Sequence, residues 1–270
     1  MADVMPLARA RRPGVVRRAF AGAWHVPAGF AFLLRRPGLW PLAALPTVLA
    51  MLLMAAGAIL AVFLVPDAER AVAPAPGRAP SWLELPISLL LTVATIGGGV
   101  FLGLGIALLL SAPLLDLLSR RVERRARGSV PEPGRGVGWE TAQALRGAVY
   151  FLIAAPGVFA LGLIPVLGPF LSVLWGARAV AFQMTDPALS RRGLAFAEKR
   201  RWHHEWLPES EGFGLAGMIG MLVPFANLLL GPALVTGGTL LVLEIDELAE
   251  QLGGRVDAAP PEPAQAAATG

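Results

Sequence analysis

The sequence of 270 residues has no cysteine, so structural disulfides and thiolate metal sites are excluded. It also lacks charge over long distances. Four stretches contain no Asp, Glu, Lys, Arg or His, namely residues 39–65, 85–115, 147–177 and 212–243. Each stretch exceeds the roughly 20 residues that cross the hydrocarbon core of a bilayer. With 55% hydrophobic residues overall, the chain is expected to be an all-α integral membrane protein.

Basic residues are distributed unevenly around these apolar runs. Residues up to 38 contain seven Lys or Arg, residues 66–84 contain two, residues 116–146 seven and residues 178–211 six. The positive-inside rule therefore predicts a cytoplasmic N-terminus, an external loop at 66–84 and a cytoplasmic loop at 116–146. The first two runs are predicted to be transmembrane helices. Because arginine far exceeds lysine and Ala, Gly and Pro are abundant, the location is expected to be the cytoplasmic membrane of a bacterium.

The third run is interrupted at its centre by Pro165, Gly168 and Pro169. A single crossing would leave six or seven basic residues outside, whereas a hairpin that turns here keeps both ends cytoplasmic. Proline lacks the amide donor of a helix and disfavours helical backbone in the residue before it. Arms of about 16 residues would span about 24 Å, which is less than the hydrocarbon thickness. The run therefore predicts a half-penetrating helical hairpin.

The fourth run has a similar interruption, with Pro224, Asn227 and Pro232 in an uncharged stretch. A second half-penetrating hairpin is predicted here, although a single proline-kinked crossing is the alternative. Two interrupted apolar segments in one chain are typical of transporter sites built from half-helices.

The remaining segments complete the predicted organisation. Residues 1–19 form a basic cytoplasmic N-terminus, residues 20–250 a single membrane domain, and residues 251–270 an Ala- and Pro-rich disordered tail. Residues 15–36 and 189–206 interleave basic and aromatic side chains, which is typical of amphipathic helices at the lipid headgroups. Because the arginines flank apolar runs, the expected partner is the lipid bilayer and not nucleic acid.

Four blocks carry a family resemblance: "FLLRRPGLWPLAALP", "SAPLLDLLSRRVE", "IPVLGPFLSVLWGARAVAFQMTDPALSRRGLAF" and "GFGLAGMIGMLVPFANLLLGPALVTGGTLL". In order and spacing they resemble the CysZ-type sulfate permease and etoposide-induced-protein superfamily over about residues 20–245. The resemblance implies two long transmembrane helices, pairs of half-penetrating helices and a homo-oligomer. For the CysZ branch it also implies sulfate uptake.

The candidate anion site lies before the first apolar run. Sulfate is a doubly charged oxyanion, and a site for it needs convergent N–H donors. Arg35 and Arg36, with the backbone of Gly38 and Leu39, are the candidate donors. Alternatively, the two arginines hold the first span at the interface. The resemblance implies an arginine after Pro-Gly-Leu, and this chain has Trp40 there.

Two further motifs favour structural roles. Gly99 and Gly103 have the GxxxG spacing that permits close helix packing. Gly212-Phe213-Gly214 is expected to form a helix-entry turn, with an anion-binding loop as the alternative.

Charged residues outside the runs favour structural roles as well. His203-His204-Glu205 are adjacent, unlike the i, i+4 pair of a metalloprotease, and are expected to form a solvated interfacial face. Asp116 and Glu123 are expected to pair with nearby arginines instead of relaying protons.

No catalytic constellation, metal site or cofactor is predicted, so an enzyme is not expected. The favoured function is a CysZ-like permease for sulfate or another small anion. The alternative is a non-transporting membrane scaffold that acts in envelope organisation, which Trp40 favours.

Overall fold

A computed structural model describes residues 14–72, 81–131, 136–162, 164, 167–222 and 226–251. These residues are almost entirely helical, and no β-strand occurs among them. The α-helices are α1 (Val15–Leu34), α2 (Trp40–Val72), α3 (Ser81–Arg127), α4 (Val137–Gly162), α5 (Leu167–Arg191), α6 (Phe196–Glu205), α7 (Leu207–Met221) and α8 (Ala226–Gln251). A 3₁₀ turn, Pro37–Leu39, follows α1. The predicted N-terminal segment lies mostly, and the predicted tail almost entirely, outside the described residues.

The chain divides into two units. The two-helix unit is Trp40–Leu117, which contains α2 and most of α3. Its helices belong to two segments that are long and apolar enough to cross a membrane, Pro37–Ala71 and Trp82–Arg127, with mean hydropathy 2.8 and 2.2. Only 6% and 12% of their most apolar windows are buried, so these segments differ from the buried core helix of a soluble protein.

Glycines bring α2 and α3 into backbone contact within the two-helix unit. A Cβ on Gly99 would overlap the carbonyl of Gly57 and lie 2.6 Å from the Cβ of Ala61. A Cβ on Gly103 would overlap the carbonyl of Leu53. Since no larger residue fits at these positions, the expectation that Gly99 and Gly103 serve helix packing is confirmed.

The core unit comprises the chain up to Leu39 and from Leu118 onward. In it α1 packs against α7 and α8, while α5 packs against α4, α7 and α8. The side of α1 that carries Gly22, His25 and Gly29 is buried, whereas Phe20 and Trp24 are exposed. The amphipathic helix predicted at 15–36 is therefore present, and its polar and small residues form part of a protein core.

The first interruption separates α4 from α5. The helices end and restart at Gly162 and Leu167 and contact each other, while Pro165 lies outside the described residues. Gly168 and Pro169 occupy the first turn of α5. Amides in the first turn have no acceptor within the helix, so the missing amide hydrogen of Pro169 costs no intrahelical hydrogen bond. The arms have 26 and 25 residues instead of about 16, because both helices continue into charged sequence.

The second interruption separates α7, which ends at Met221, from α8, which begins at Ala226. Pro224 again lies outside the described residues, and Asn227 is the second residue of α8. The helix α8 runs through Pro232 without a break, so Pro232 does not end a helix as predicted.

The expected helix-entry turn at Gly212-Phe213-Gly214 is wrong. The helix α7 starts five residues earlier, with Pro208 in its first turn, and the three residues are buried within it. A Cβ on Gly212 would overlap the carbonyl of Ala19 in α1, and a Cβ on Gly214 would overlap that of Ala177 in α5. These glycines therefore let α7 touch two helices at once.

Candidate anion site and buried polar network

The predicted anion-binding residues lie where α1 gives way to the 3₁₀ turn. The amides of Arg35 and Arg36 still donate to Ala31 and Leu33 in the last turn of α1. Pro37 cannot continue the helix because it lacks an amide hydrogen. The amide of Leu39 then donates to the carbonyl of Arg36 at 2.9 Å, which closes the 3₁₀ turn. The local sequence thus places both arginines beside Gly38.

The Arg36 guanidinium lies over the ring of Phe32, 3.5 Å from the ring centroid. This contact fixes the side chain and leaves its N–H edge available for a further ligand. Burial, together with the positive charges of Arg125 and Arg35, lowers the pKa of Arg36. Arginine keeps its charge at neutral pH nonetheless, because its ordinary pKa is so high. The shift therefore reflects partial burial first and the neighbouring positive charges second.

Arg125 of α3 is the residue of this cluster that the sequence did not single out. A Cβ on Gly38 would lie 3.3 Å from Nη2 and 3.9 Å from Nη1 of Arg125. Neither Arg36 nor Arg125 has a carboxylate within ion-pair distance among the described residues. The arginine cluster, meaning Arg35, Arg36 and Arg125 around Gly38, thus combines positive charge with open backbone.

A buried ionic network lies in the same unit. Arg191, at the end of α5, contacts Glu123 of α3 at 2.7 Å, and both side chains are 1% exposed. Arg191 also donates to the hydroxyl of Ser119 at 2.7 Å, and Arg192 bonds the second oxygen of Glu123 at 3.1 Å. Arg192 in turn contacts Asp246 of α8 at 2.6 Å. The network therefore ties the ends of α3, α5 and α8 together.

Glu123 confirms the expectation of an arginine partner, but the partners lie 68 and 69 residues away and not nearby in sequence. Burial raises the pKa of Asp246, against the lowering effect of Arg192.

Comparisons with known proteins identify the family of the chain. A family model described as "Sulfate transporter CysZ/Etoposide-induced protein 2.4" matches residues 26–232. The chain belongs to this family. The matched residues include the 3₁₀ turn and all three arginines of the cluster. They also include Glu123 and Arg191. With its two long, exposed apolar helices, this family member is a membrane protein.

Individual relatives are bacterial proteins named Sulfate transporter CysZ. That of Pseudomonas fluorescens Pf-5 is 31% identical over 145 residues, which are 50% of this chain and 58% of the relative. That of Pseudomonas aeruginosa PAO1 is 27% identical over 240 residues, covering 82% of this chain and 94% of the relative. The chain thus matches somewhat more than half the length of the first relative and nearly all of the second.

The expected solvated face at 203–205 is wrong for His203 in this CysZ-family chain. The ring is 5% exposed, with Nε2 3.1 Å from the hydroxyl of Thr185 and Nδ1 3.1 Å from that of Ser210. The Thr185 hydroxyl donates to the carbonyl of Ala181, so it accepts from Nε2–H, and Nδ1 accepts from Ser210. Burial, followed by the charges of Arg178 and Lys199, lowers the pKa of His203 to about 3. His203 of α6 is therefore neutral, and its two hydrogen bonds connect α6 to α5 and α7.

His25 of α1 makes a different pair. Its Nδ1 is 2.9 Å from the carbonyl of Ala21, which can only accept, so Nδ1 carries a hydrogen. Its Nε2 is 3.0 Å from a carboxylate oxygen of Glu244 in α8. One proton must therefore lie between the imidazole and the carboxylate, on one atom or the other. The pair fastens α1 to α8, and no group of three possible metal ligands occurs among the residues described.

Proposed function

We propose that the protein is a permease for sulfate or another small anion, in the cytoplasmic membrane of a bacterium with its N-terminus inside. The observation that carries this proposal is the arginine cluster at Gly38. The guanidinium of Arg125 lies 3.3 Å from the position that a Cβ of Gly38 would occupy, Arg36 begins the same turn, and neither arginine has a carboxylate within ion-pair distance among the described residues. A strongly hydrated oxyanion needs such convergent charged donors to replace its water. Membership of a family whose relatives are named sulfate transporters gives further support.

Uptake of radiolabelled sulfate into proteoliposomes tests the function. The wild type should accumulate sulfate, and the double variant Arg35→Gln with Arg36→Gln should lose this uptake. Hydrogen bonds to charged groups contribute about 1.5–3 kcal/mol each, so binding should weaken by at least about tenfold. Five other N-terminal arginines preserve the orientation of the first span, so insertion should be intact.

Two results would contradict this proposal, the first for the arginines and the second for transport itself. Normal uptake by the double variant would reduce Arg35 and Arg36 to interfacial anchors. Absence of any anion uptake by the wild type would favour the membrane-scaffold alternative, with which Trp40 is compatible. As a milder variant, Trp40→Arg should leave uptake unchanged or raise it, because it adds a donor next to the turn.

The topology we propose has α4 and α5 as a hairpin with both ends cytoplasmic, and α7 and α8 as a second one. Gln143 and Phe182 are buried, so cysteine labels belong at the exposed neighbours Ala142 and Gln183. Because the chain has no native cysteine, each single variant gives a clean signal. Both should resist an impermeant thiol reagent in intact cells, whereas Glu84→Cys, in the first turn of α3 at its predicted external end, should react. Reaction at Ala142→Cys or Gln183→Cys would contradict the hairpin.

We further propose that the protein assembles as a homo-oligomer within the bilayer. Support comes from the two-helix unit, where an apolar groove of about 150 Å³ lies between α2 and α3 and includes Gly98 and Leu102. Native mass spectrometry from detergent should detect a multiple of the chain mass, and a monomer at all concentrations would contradict assembly.

A further inference from the structure

Arg125 has a position in the fold that its sequence context does not explain. It lies two residues before Arg127, the last residue of α3, and its guanidinium reaches the 3₁₀ turn Pro37–Leu39. Its Nη2 is only 3.3 Å from where a Cβ of Gly38 would be. Because Gly38 has no side chain, nothing of that residue separates the guanidinium from the backbone of the turn. The arginine therefore covers the turn from the side of α3.

The backbone on both sides of Arg125 is anchored. Two residues earlier, Glu123 is held by the buried contact with Arg191. Two residues later, Arg127 donates to the carbonyl of Leu243 at 2.8 Å. The end of α3 is thus fixed to α5 and α8, while Arg125 itself has no carboxylate partner among the described residues. Arg125 is itself exposed, and within the described part of the chain no carboxylate neutralises its charge.

Arg36 lies at the start of the same turn, where its guanidinium stacks over the ring of Phe32 in α1 and is close enough to Arg125 for the two positive charges to interact. Like charges held close together cost free energy unless an anion lies between them. Guanidinium groups match the geometry of tetrahedral oxyanions, because each presents two parallel N–H donors. Arg125 against Gly38 and Arg36 beside the same turn therefore bring two such groups from separate chain segments into one region.

We propose that Arg125 is a ligand of a small tetrahedral oxyanion bound at Gly38, which joins the end of α1 to the end of α3. This inference rests on the proposed function, since it adds a residue to the same anion site. It also gives that site a connection to the rest of the core unit. The ion pair between Glu123 and Arg191 connects the segment that contains Arg125 to α5.

Isothermal titration of the purified protein in detergent with sulfate tests the role of Arg125. The Arg125→Gln variant should bind sulfate at least about tenfold more weakly than the wild type, as expected for loss of one charged donor pair. Arg124→Gln is the matched control, because Arg124, like Arg125, is exposed near the end of α3 and its replacement removes the same charge. It should bind within about twofold of the wild type. Arg125→Lys should be intermediate, since lysine keeps the charge without the planar fork.

The outcomes separate this inference from the proposed function. If Arg36→Gln weakens binding and Arg125→Gln does not, the role of Arg125 is overturned while the function stands. If Arg124→Gln weakens binding as much as Arg125→Gln, a general charge effect replaces the specific site. If the wild type binds neither sulfate nor phosphate, both proposals fail.

A lipid headgroup is a second source of the same chemistry, and a vesicle assay distinguishes it. Should Arg125→Gln lose binding to phosphatidylglycerol vesicles while keeping its sulfate affinity, the ligand is a lipid and the proposal is overturned. Thermal unfolding without sulfate checks that the variant is folded. If Arg125→Gln unfolds, Arg125→Lys and Gly38→Ala decide the matter: each must weaken sulfate binding, the second by placing a methyl group against the guanidinium.

Discussion

The two units of the molecule place their apolar and charged side chains in opposite ways. In the two-helix unit the apolar residues face outward, and the ion pair Arg70–Asp67 is largely exposed, at 76% and 67%. In the core unit Arg191 and Glu123 are paired with each side chain 1% exposed. One unit therefore depends on lipid to cover its surface, and the other carries a polar interior that only its own residues satisfy.

Both units nevertheless bring helices together in the same way. Gly57 and Gly99 let two apolar helices touch in the first, and Gly22 and Gly212 let α1 and α7 touch in the second. Since lipid tails are as apolar as leucine, hydrophobic burial gives little drive for association inside a bilayer. Close backbone packing works in either setting. The difference between the units thus lies in their polar groups and not in their helix contacts.

The largest expected effect comes from breaking the buried pair. Glu123→Gln leaves Arg191 buried without its counter-charge, and removing one partner of a buried pair costs about 3–5 kcal/mol. Asp67→Asn removes one partner of the exposed pair, where the expected loss is at most about 0.5 kcal/mol. Unfolding in detergent by a denaturant titration measures both. Equal losses would mean that Arg191 finds water once Glu123 is gone.

A glycine substitution is expected to have a smaller effect. Gly99→Ala places a Cβ against the carbonyl of Gly57, and overpacking of this kind costs about 1–3 kcal/mol. Gly97→Ala is the control, because nothing lies within 4 Å of its Cβ position and alanine favours a helix more than glycine. Thermal melting should show a loss for the first and none for the second. A stable Gly99→Ala protein would show that α2 and α3 separate without cost.

The smallest effect, taken over one pH unit, is the pH dependence that His203 confers. Its pKa is about 3 in the folded protein, against an ordinary 6.5, so between these values the unfolded chain binds a proton that the folded protein does not. Stability should therefore fall as the pH decreases from about 6.5, by about 1 kcal/mol per pH unit. His203→Gln should lack this contribution, and its deficit relative to the wild type should shrink towards pH 4.

His204 provides the comparison for this experiment, because it is adjacent and exposed. His204→Gln should keep the pH slope of the wild type in denaturant titrations at pH 4 to 7. An unchanged slope in His203→Gln would mean that other groups carry the acid sensitivity.

Features that depend on local sequence could be predicted from it. Long uncharged runs predict the helices of the two-helix unit, because a bilayer requires a minimum apolar length. The spacing of Gly99 and Gly103 predicts close packing, and the prolines of the third apolar run predict the interruption between α4, which ends at Gly162, and α5, which begins at Leu167. Even here, the helices extend into charged sequence at Arg146 and Arg178, since helix propensity does not end where apolarity does.

Features that depend on tertiary contacts could not be predicted. Nothing in the spacing of Glu123 indicates a partner 68 residues later, and the basic run around Arg125 has no local sign that one arginine reaches Gly38. A glycine pair such as Gly212 and Gly214 suits a turn as well as a helix contact. His203 lies in a polar segment beside the exposed His204, and its burial follows from the packing of three helices.

The wide sequence separation of the Glu123–Arg191 pair also imposes an order in time. A ribosome adding about 5–20 residues per second needs roughly 3–14 s to cover the 68 residues between them. During that interval α3 is complete while its acidic side chain has no partner from α5. The arginines that surround Glu123 in "SRRVERRAR" are synthesised with it. Their positive charges balance that of the Glu123 carboxylate until α5 has been synthesised. The carboxylate is then not isolated at the membrane surface before Arg191 can pair with it.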